Sequence, residues 1–264
     1  MPTLTRHFLA LFVFLLAACS PRAPSEPPTA LTILSAASLN EAFTDLGRQF
    51  EAANPGVTLT FNFAGSQALA QQLVQGAPAD VFASANEQQM ATAVQAGRVA
   101  EDAPQVFATN ALVLITPSGN PAGLKALTDL ARPGLKLVFA DPSVPAGQYS
   151  LDFLDKAEQN PAFGVGFRAA VLQNVVSYEE SVRAVLTKVS LGEADAGIVY
   201  RSDVSAARGV TPIEIPAALN VSARYPIAPT SDSANPALAQ AFIDFVLSPT
   251  GQETLSRYGF LPYE

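Results

Sequence analysis

Tryptophan is absent from this chain of 264 residues, histidine and cysteine occur once each (His7 and Cys19), and 15 basic residues face 23 acidic ones. Each shortage excludes some chemistry. His7 and Cys19 lie in or beside an N-terminal apolar segment that reads as removable. The remainder then has no Ser-His-Asp or Cys-His mechanism and none of the His/Cys ligands that zinc prefers. No S-x-x-K, G-x-S-x-G or G-x-x-x-x-G-K-[ST] occurs, although Lys125, Lys136, Lys156 and Lys188 leave a Ser/Lys dyad open in principle. An acidic chain with so few basic residues argues against a nucleic-acid surface. Long apolar runs are lacking too: Phe8 to Ala18 is an unbroken run of eleven, against the roughly 20 residues that span a bilayer.

That run has the form of a secretory signal, with Arg6 before it and small residues at its exit. The exit, Leu16-Ala17-Ala18-Cys19, resembles a bacterial lipobox, in which cleavage leaves the Cys as a lipid-modified first residue. On that reading residues 1–18 are the signal, Cys19 is the lipid attachment, and the mature chain has 246 residues and a net charge of −9. The alternative is an ordinary signal with an unrelated cysteine. Residues 19–30 carry Pro21, Pro24, Pro27 and Pro28 and read as an extended tether. A tethered, membrane-attached protein outside the cytoplasm is the expectation.

From Leu31 onward strand-like and helix-like patterns alternate. Strands are expected at Leu31–Ser35, Val57–Phe63, Asp80–Ala85, Val106–Thr116, Leu135–Ala140, Asn174–Ser177, Asp195–Tyr200 and Ala223–Ala228. Between them helical spacing covers Leu39–Ala53, Gln67–Gln75, Glu87–Ala96, Leu124–Ala131, Gln148–Gln159, Phe163–Leu172 and Glu180–Leu191, with Pro236–Leu247 and Gln252–Tyr258 at the end. Strands separated by helices imply βαβ crossovers and mainly parallel sheets. The length favours two α/β lobes, 31–109 plus 229–264 and 110–228, over one large sheet.

Chemistry gathers where strands hand over to helices. Strand one ends in Ser35-Ala-Ala-Ser38, and Ser38-Leu-Asn-Glu41 has the S-x-x-E spacing of a capping box. Strand two ends in Ala64-Gly65-Ser66. Later strands end in Asp141-Pro-Ser-Val-Pro-Ala-Gly147 and in Ser177-Tyr-Glu-Glu-Ser-Val182. Each helix start offers unpaired N–H groups and about half a positive charge, an environment suited to an anion. In open α/β sheets ligands lie at the carboxyl ends of strands, where these termini meet. Taken singly, each Ser is more simply a helix cap and Tyr200 a packed aromatic.

Taken together, Ser35-Ala-Ala-Ser-Leu39, Phe63-Ala-Gly-Ser-Gln67, Gly76-Ala-Pro-Ala-Asp-Val-Phe-Ala-Ser-Ala85, Asp141-Pro-x-x-Val-Pro-Ala-Gly147, Glu180-Ser-Val-Arg183, Gly197-Ile-Val-Tyr200 and Arg257-Tyr-Gly-Phe260 resemble the periplasmic molybdate-binding proteins of molybdate ABC importers. The resemblance implies a two-lobed α/β fold of the periplasmic-binding-protein type II, closing on molybdate or tungstate, with no enzymatic activity, no cofactor and no cationic metal. Carried over residue by residue, Ser38 and Ser66 would donate from the first lobe. Ala146 and Val182 would donate backbone N–H from the second, and Tyr200 its phenol. The Val182 assignment requires its helix to begin near Glu179–Ser181; a helix capped by Ser177 would consume that N–H. The partners implied are the oxyanion, an ABC permease and, through the lipid, the membrane, with the chain itself monomeric. The alternatives are a receptor for another oxyanion such as sulfate, and a lipid-anchored hydrolase. With no histidine at the site, binding is expected to be nearly flat from about pH 6.5 to 9.

Overall fold

A computed structural model describes residues 29–205 and 207–263. The expected signal and Cys19 lie outside these residues, as does the tether except for Thr29 and Ala30, which already belong to the first strand.

Strand β1 (Thr29–Ala36) leads through a 3-10 turn at Ala37–Leu39 into helix α1 (Asn40–Ala53). Strand β2 (Val57–Ala64) feeds α2 (Ser66–Val74), and β3 (Val81–Ala83) feeds α3 (Glu87–Gln95). Then come β4 (Gln105–Asn110), β5 (Leu112–Pro117), β6 (Leu137–Ala140), α4 (Pro145–Glu158), α5 (Phe167–Gln173) and β7 (Val175–Glu179). Next are α6 (Val182–Ser190), β8 (Ala196–Tyr200), α7 (Arg201–Ser205) and β9 (Val210–Glu214). The chain ends with β10 (Ala223–Pro229), α8 (Pro236–Leu247) and α9 (Pro249–Arg257).

These strands form two five-stranded sheets, ordered β2-β1-β3-β10-β4 and β7-β6-β8-β5-β9. In each, one strand runs against the others: β10 in the first sheet and β5 in the second. The expected two-lobed α/β class with mainly parallel sheets is what the chain forms. The core of the first lobe is aromatic, with Phe43 against Phe107 and Phe242. The second lobe packs aliphatic strands such as Leu112–Ile115 and Ala196–Val199 against Phe139 and Phe153.

Three expectations are corrected. The single strand Val106–Thr116 is two strands in different sheets, because the chain crosses between lobes at Ala111. There the Ala111 N–H leaves the ladder for the side-chain oxygen of Asn110 (3.0 Å) and its carbonyl accepts from Arg201 N–H (2.8 Å). No Gly or Pro marks that break. The return crossing precedes Ala223, since β10 pairs with β3 and β4; residues 223–228 therefore lie with the first sheet. Strand β9 was not expected, because Pro212 disguises it, and proline is tolerated on an edge strand such as this one.

The two crossings are stitched together by Asn220. Its Oδ1 accepts from the Leu112 N–H and its Nδ2 donates to the Leu112 carbonyl, both at 2.9 Å, as a neighbouring strand would.

Candidate functional site

Ser38 does not cap α1. The helix starts one residue too late for a capping box: its N-cap is Leu39, with no side-chain hydrogen bond, and Ser38 lies in the preceding 3-10 turn. Its hydroxyl instead meets the Tyr225 hydroxyl at 2.9 Å, in a buried pair. Glu41, the other half of the expected box, reaches across to Arg183 of α6 at 2.5 Å.

Ser66 is the first residue of α2, and its Oγ accepts the backbone N–H of Ala85 at 3.0 Å. Ala146 follows Pro145 in the first turn of α4, where proline suits the missing donor. The next residue must be glycine: a Cβ on Gly147 would sit 2.0 Å from the Asp141 carbonyl oxygen. Val182 opens α6, whose N-cap is Ser181, with Oγ accepting from Ala184 N–H at 3.3 Å. Val182 N–H is therefore ahead of the intrahelical ladder rather than within it. Tyr200 ends β8 with 1% exposure, and its hydroxyl has no hydrogen-bond partner among the described residues. A buried phenol left unpaired in this way is costly unless something accepts from it.

All five residues line one small cavity between the lobes, of about 10 Å³. The rest of its lining is Ala, Gly, Val and Pro, so among the described residues no charged side chain faces it. Burial drives the Tyr200 phenol well above 10, which keeps its proton in place. The helix starts of α2, α4 and α6 add their partial positive charge from both sides. Such an arrangement can hold a compact anion whose oxygens only accept, through charge-assisted bonds. Among the described residues no carboxylate, imidazole or amine lines it to activate either serine hydroxyl. Among the described residues no group of three or more His, Cys, Asp or Glu could hold a metal ion.

The lobes are closed over this cavity. Gln67 Nε2 donates to the Glu180 carbonyl at 2.9 Å, Asn86 Nδ2 to Gln148 Oε1 at 3.3 Å, and Gln89 Nε2 to the Ser143 carbonyl at 3.4 Å. Gly65 permits the approach: a Cβ there would lie 2.5 Å from the Glu180 carbonyl oxygen.

Three groups behind the cavity escaped the sequence reading. Tyr225 and Asn110 stand behind Ser38, and Asp203 behind Tyr200. Asp203 is 1% exposed; its Oδ2 accepts the Tyr200 N–H at 3.0 Å, while among the described residues Oδ1 has only the Arg183 guanidinium, 3.8 Å away. Burial pushes its carboxyl up to about 7, against the pull of Arg183. No motif marked any of the three: Tyr225 is far in sequence from Ser38 and Asn110, while Asp203, only three residues after Tyr200, is set apart by its burial.

The chain matches the family model described as bacterial extracellular solute-binding protein over residues 31–261. It is 43% identical over 244 residues to the molybdate-binding protein ModA of Mycobacterium tuberculosis H37Rv, covering 92% of this chain and 88% of that one. Its structure is similar to a substrate-binding domain assigned to a molybdenum ABC transporter of Clostridium difficile. The TM-score is 0.66 and the identity 29%, over 89% of this chain and all of that one. The fold is also that of the Azotobacter vinelandii periplasmic molybdate-binding protein, with TM-score 0.76 at 21% identity, covering 89% and 100%.

Proposed function

We propose, for a chain that belongs to the bacterial extracellular solute-binding protein family, that it captures molybdate or tungstate outside the cytoplasm and delivers it to an ABC importer. Members of this family bind solutes for transport, and the chain is a binding protein, not an enzyme. The observation that carries the oxyanion reading is the cavity itself, lying between lobes that touch across it, lined by the five donor-bearing residues and, among the described residues, free of charged side chains. Molybdate has no proton at neutral pH, so its four oxygens only accept hydrogen bonds and match a wall of donors. Neutral dipoles suffice for this dianion even in an acidic protein, because they are fixed and desolvated.

In this reading Ser38 and Ser66 hold one side of the anion, and Ala146, Val182 and Tyr200 the other. The lobes are 29–110 plus 223–263, and 112–214. They swing about the two crossings tied by Asn220, and the closed form docks on the permease as a monomer. Cys19 carries the lipid that keeps the chain at the membrane surface. Isothermal titration with molybdate, tungstate, sulfate and phosphate tests the ligand. One-to-one binding of the first two, with sulfate and phosphate silent, is the expected result. Preferential sulfate binding would make this a sulfate receptor on the same scaffold, and silence toward all four would end the oxyanion reading.

A further inference from the structure

A serine hydroxyl is ambivalent, since it carries one donor and two acceptor sites and rotates to suit its neighbours. Ser38 could therefore meet an anion as donor or turn to accept from a protonated one. Its surroundings bear on that choice. Asn110 Oδ1 accepts the Ala111 N–H at 3.0 Å, which settles the orientation of the Asn110 amide. The other end, Nδ2, can only donate; it lies 2.8 Å from Ser202 Oγ and a longer 3.5 Å from the Tyr225 hydroxyl. Tyr225 Oη accepts from Asn110 and has one proton to give; Ser38 Oγ lies 2.9 Å away, a pair in which either oxygen can be the donor. When its oxygen accepts from Tyr225, Ser38 has its own proton free for the cavity. Ser66 reaches the same state by a shorter route, because the Ala85 N–H on its Oγ can only donate.

We propose that Tyr225, oriented by Asn110, is a specificity-determining positioning residue. It fixes the Ser38 hydroxyl as an obligate donor and so selects anions that carry no proton. The proposal rests on the oxyanion reading above and goes beyond it, since Tyr225 is not among the cavity-lining residues. A protonated anion such as hydrogenphosphate has to press an O–H against a wall of donors, leaving buried hydrogens unpaired. Without the Tyr225 hydroxyl, Ser38 can turn and accept such a proton.

Tyr225→Phe is a clean test. The ring is fully buried against Phe107, Tyr200 and Phe260, and Phe keeps those contacts. Molybdate and hydrogenphosphate are titrated by calorimetry at pH 7.5 into the wild type, Tyr225→Phe, Ser38→Ala and the double variant, each shown folded by thermal melting. Tyr225→Phe is expected to bind molybdate about tenfold more weakly and to narrow the molybdate-to-hydrogenphosphate ratio. The double variant is expected to bind no more weakly than Ser38→Ala, because Tyr225 acts only through Ser38. A Tyr225→Phe variant with wild-type affinity and ratio overturns the proposal. So does a tenfold loss that recurs in the Ser38→Ala background, which would place the effect in packing. Wild-type protein that ignores molybdate overturns the oxyanion reading itself, whereas binding that Tyr225→Phe leaves untouched removes only the relay.

Discussion

The two walls of the cavity solve the same problem by different means. On the first lobe the side-chain donors are the hydroxyls of Ser38 and Ser66, each with its oxygen engaged from behind, one by Tyr225 and the other by the Ala85 N–H. On the second lobe Ala146 and Val182 stand at helix starts and offer backbone N–H, whose direction the helix settles. A hydroxyl is a rotor and has to be told which way to point; a peptide N–H is not. The two serines of the first wall therefore depend on partners behind them, whereas Ala146 and Val182 of the second depend on local backbone geometry and only Tyr200 there presents a hydroxyl.

That contrast is sharpest at the two glycines. Gly147→Ala should give the largest effect, because the added carbon meets backbone atoms of its own lobe, the Asp141 and Ala140 carbonyl oxygens at 2.0 and 2.5 Å. Backbone cannot rotate aside, so a loss of more than about 4 kcal/mol of stability is expected. Chemical denaturation checks this, and a variant of wild-type stability would mean that the α4 start tolerates displacement.

Asp203 comes next, as the buried support of Tyr200 on the second wall. Its folded-state carboxyl is raised from 3.8 to about 7 by burial. The folded protein thus holds this proton more tightly than the unfolded chain, and the stabilisation is full below about pH 4 and lost as pH rises through about 7. Linkage over that interval amounts to a few kcal/mol. Denaturation across pH 4–8 should show the fall in the wild type and a flattened profile in Asp203→Asn; equal slopes in both would assign the titration elsewhere. The carboxylate also touches the backbone of a cavity residue, so it is the group able to disturb the flat pH profile of binding expected from a site without histidine.

Gly65→Ala should be the mildest for folding and is the counterpart of Gly147→Ala. Gly65 has φ −59° and ψ 136°, which any residue adopts, and its added carbon would meet the Glu180 carbonyl oxygen of the opposite lobe together with the Gln67 side chain. The expected outcome is an unchanged melting temperature without ligand and molybdate binding weakened by about 2 kcal/mol. Unchanged binding would show that the lobes need not approach so closely at Gly65.

Much of this molecule was legible along the chain. Strand and helix periodicity placed β1, β2, α1, α8 and most of the others within a few residues, since each buries one face within its own lobe. The small-residue handovers at Ser38, Ser66, Ala146 and Val182 also stood out locally. The break at Ala111 was hidden because Leu112–Ile115 reads as apolar strand in whichever sheet it joins. The capping box at Ser38-Leu-Asn-Glu41 had the right spacing, but its two side chains found stronger partners in Tyr225 and Arg183.

The sequence by itself determined the α/β alternation, the absence of histidine and thiol chemistry from residue 29 onward, and the residue types that could face an anion. Those are properties of composition and of spacing within single elements. Only the tertiary structure decided which of these residues share a cavity, which side chain orients each hydroxyl, and where a carboxylate is buried without a full partner. Asn110, Ser202 and Tyr225 are 92 to 187 residues away from the groups they bond around Ser38 and the first crossing. Hydrogen-bond direction and desolvation depend on neighbours brought together by the fold, so they exist only once both sheets have formed and the lobes have closed.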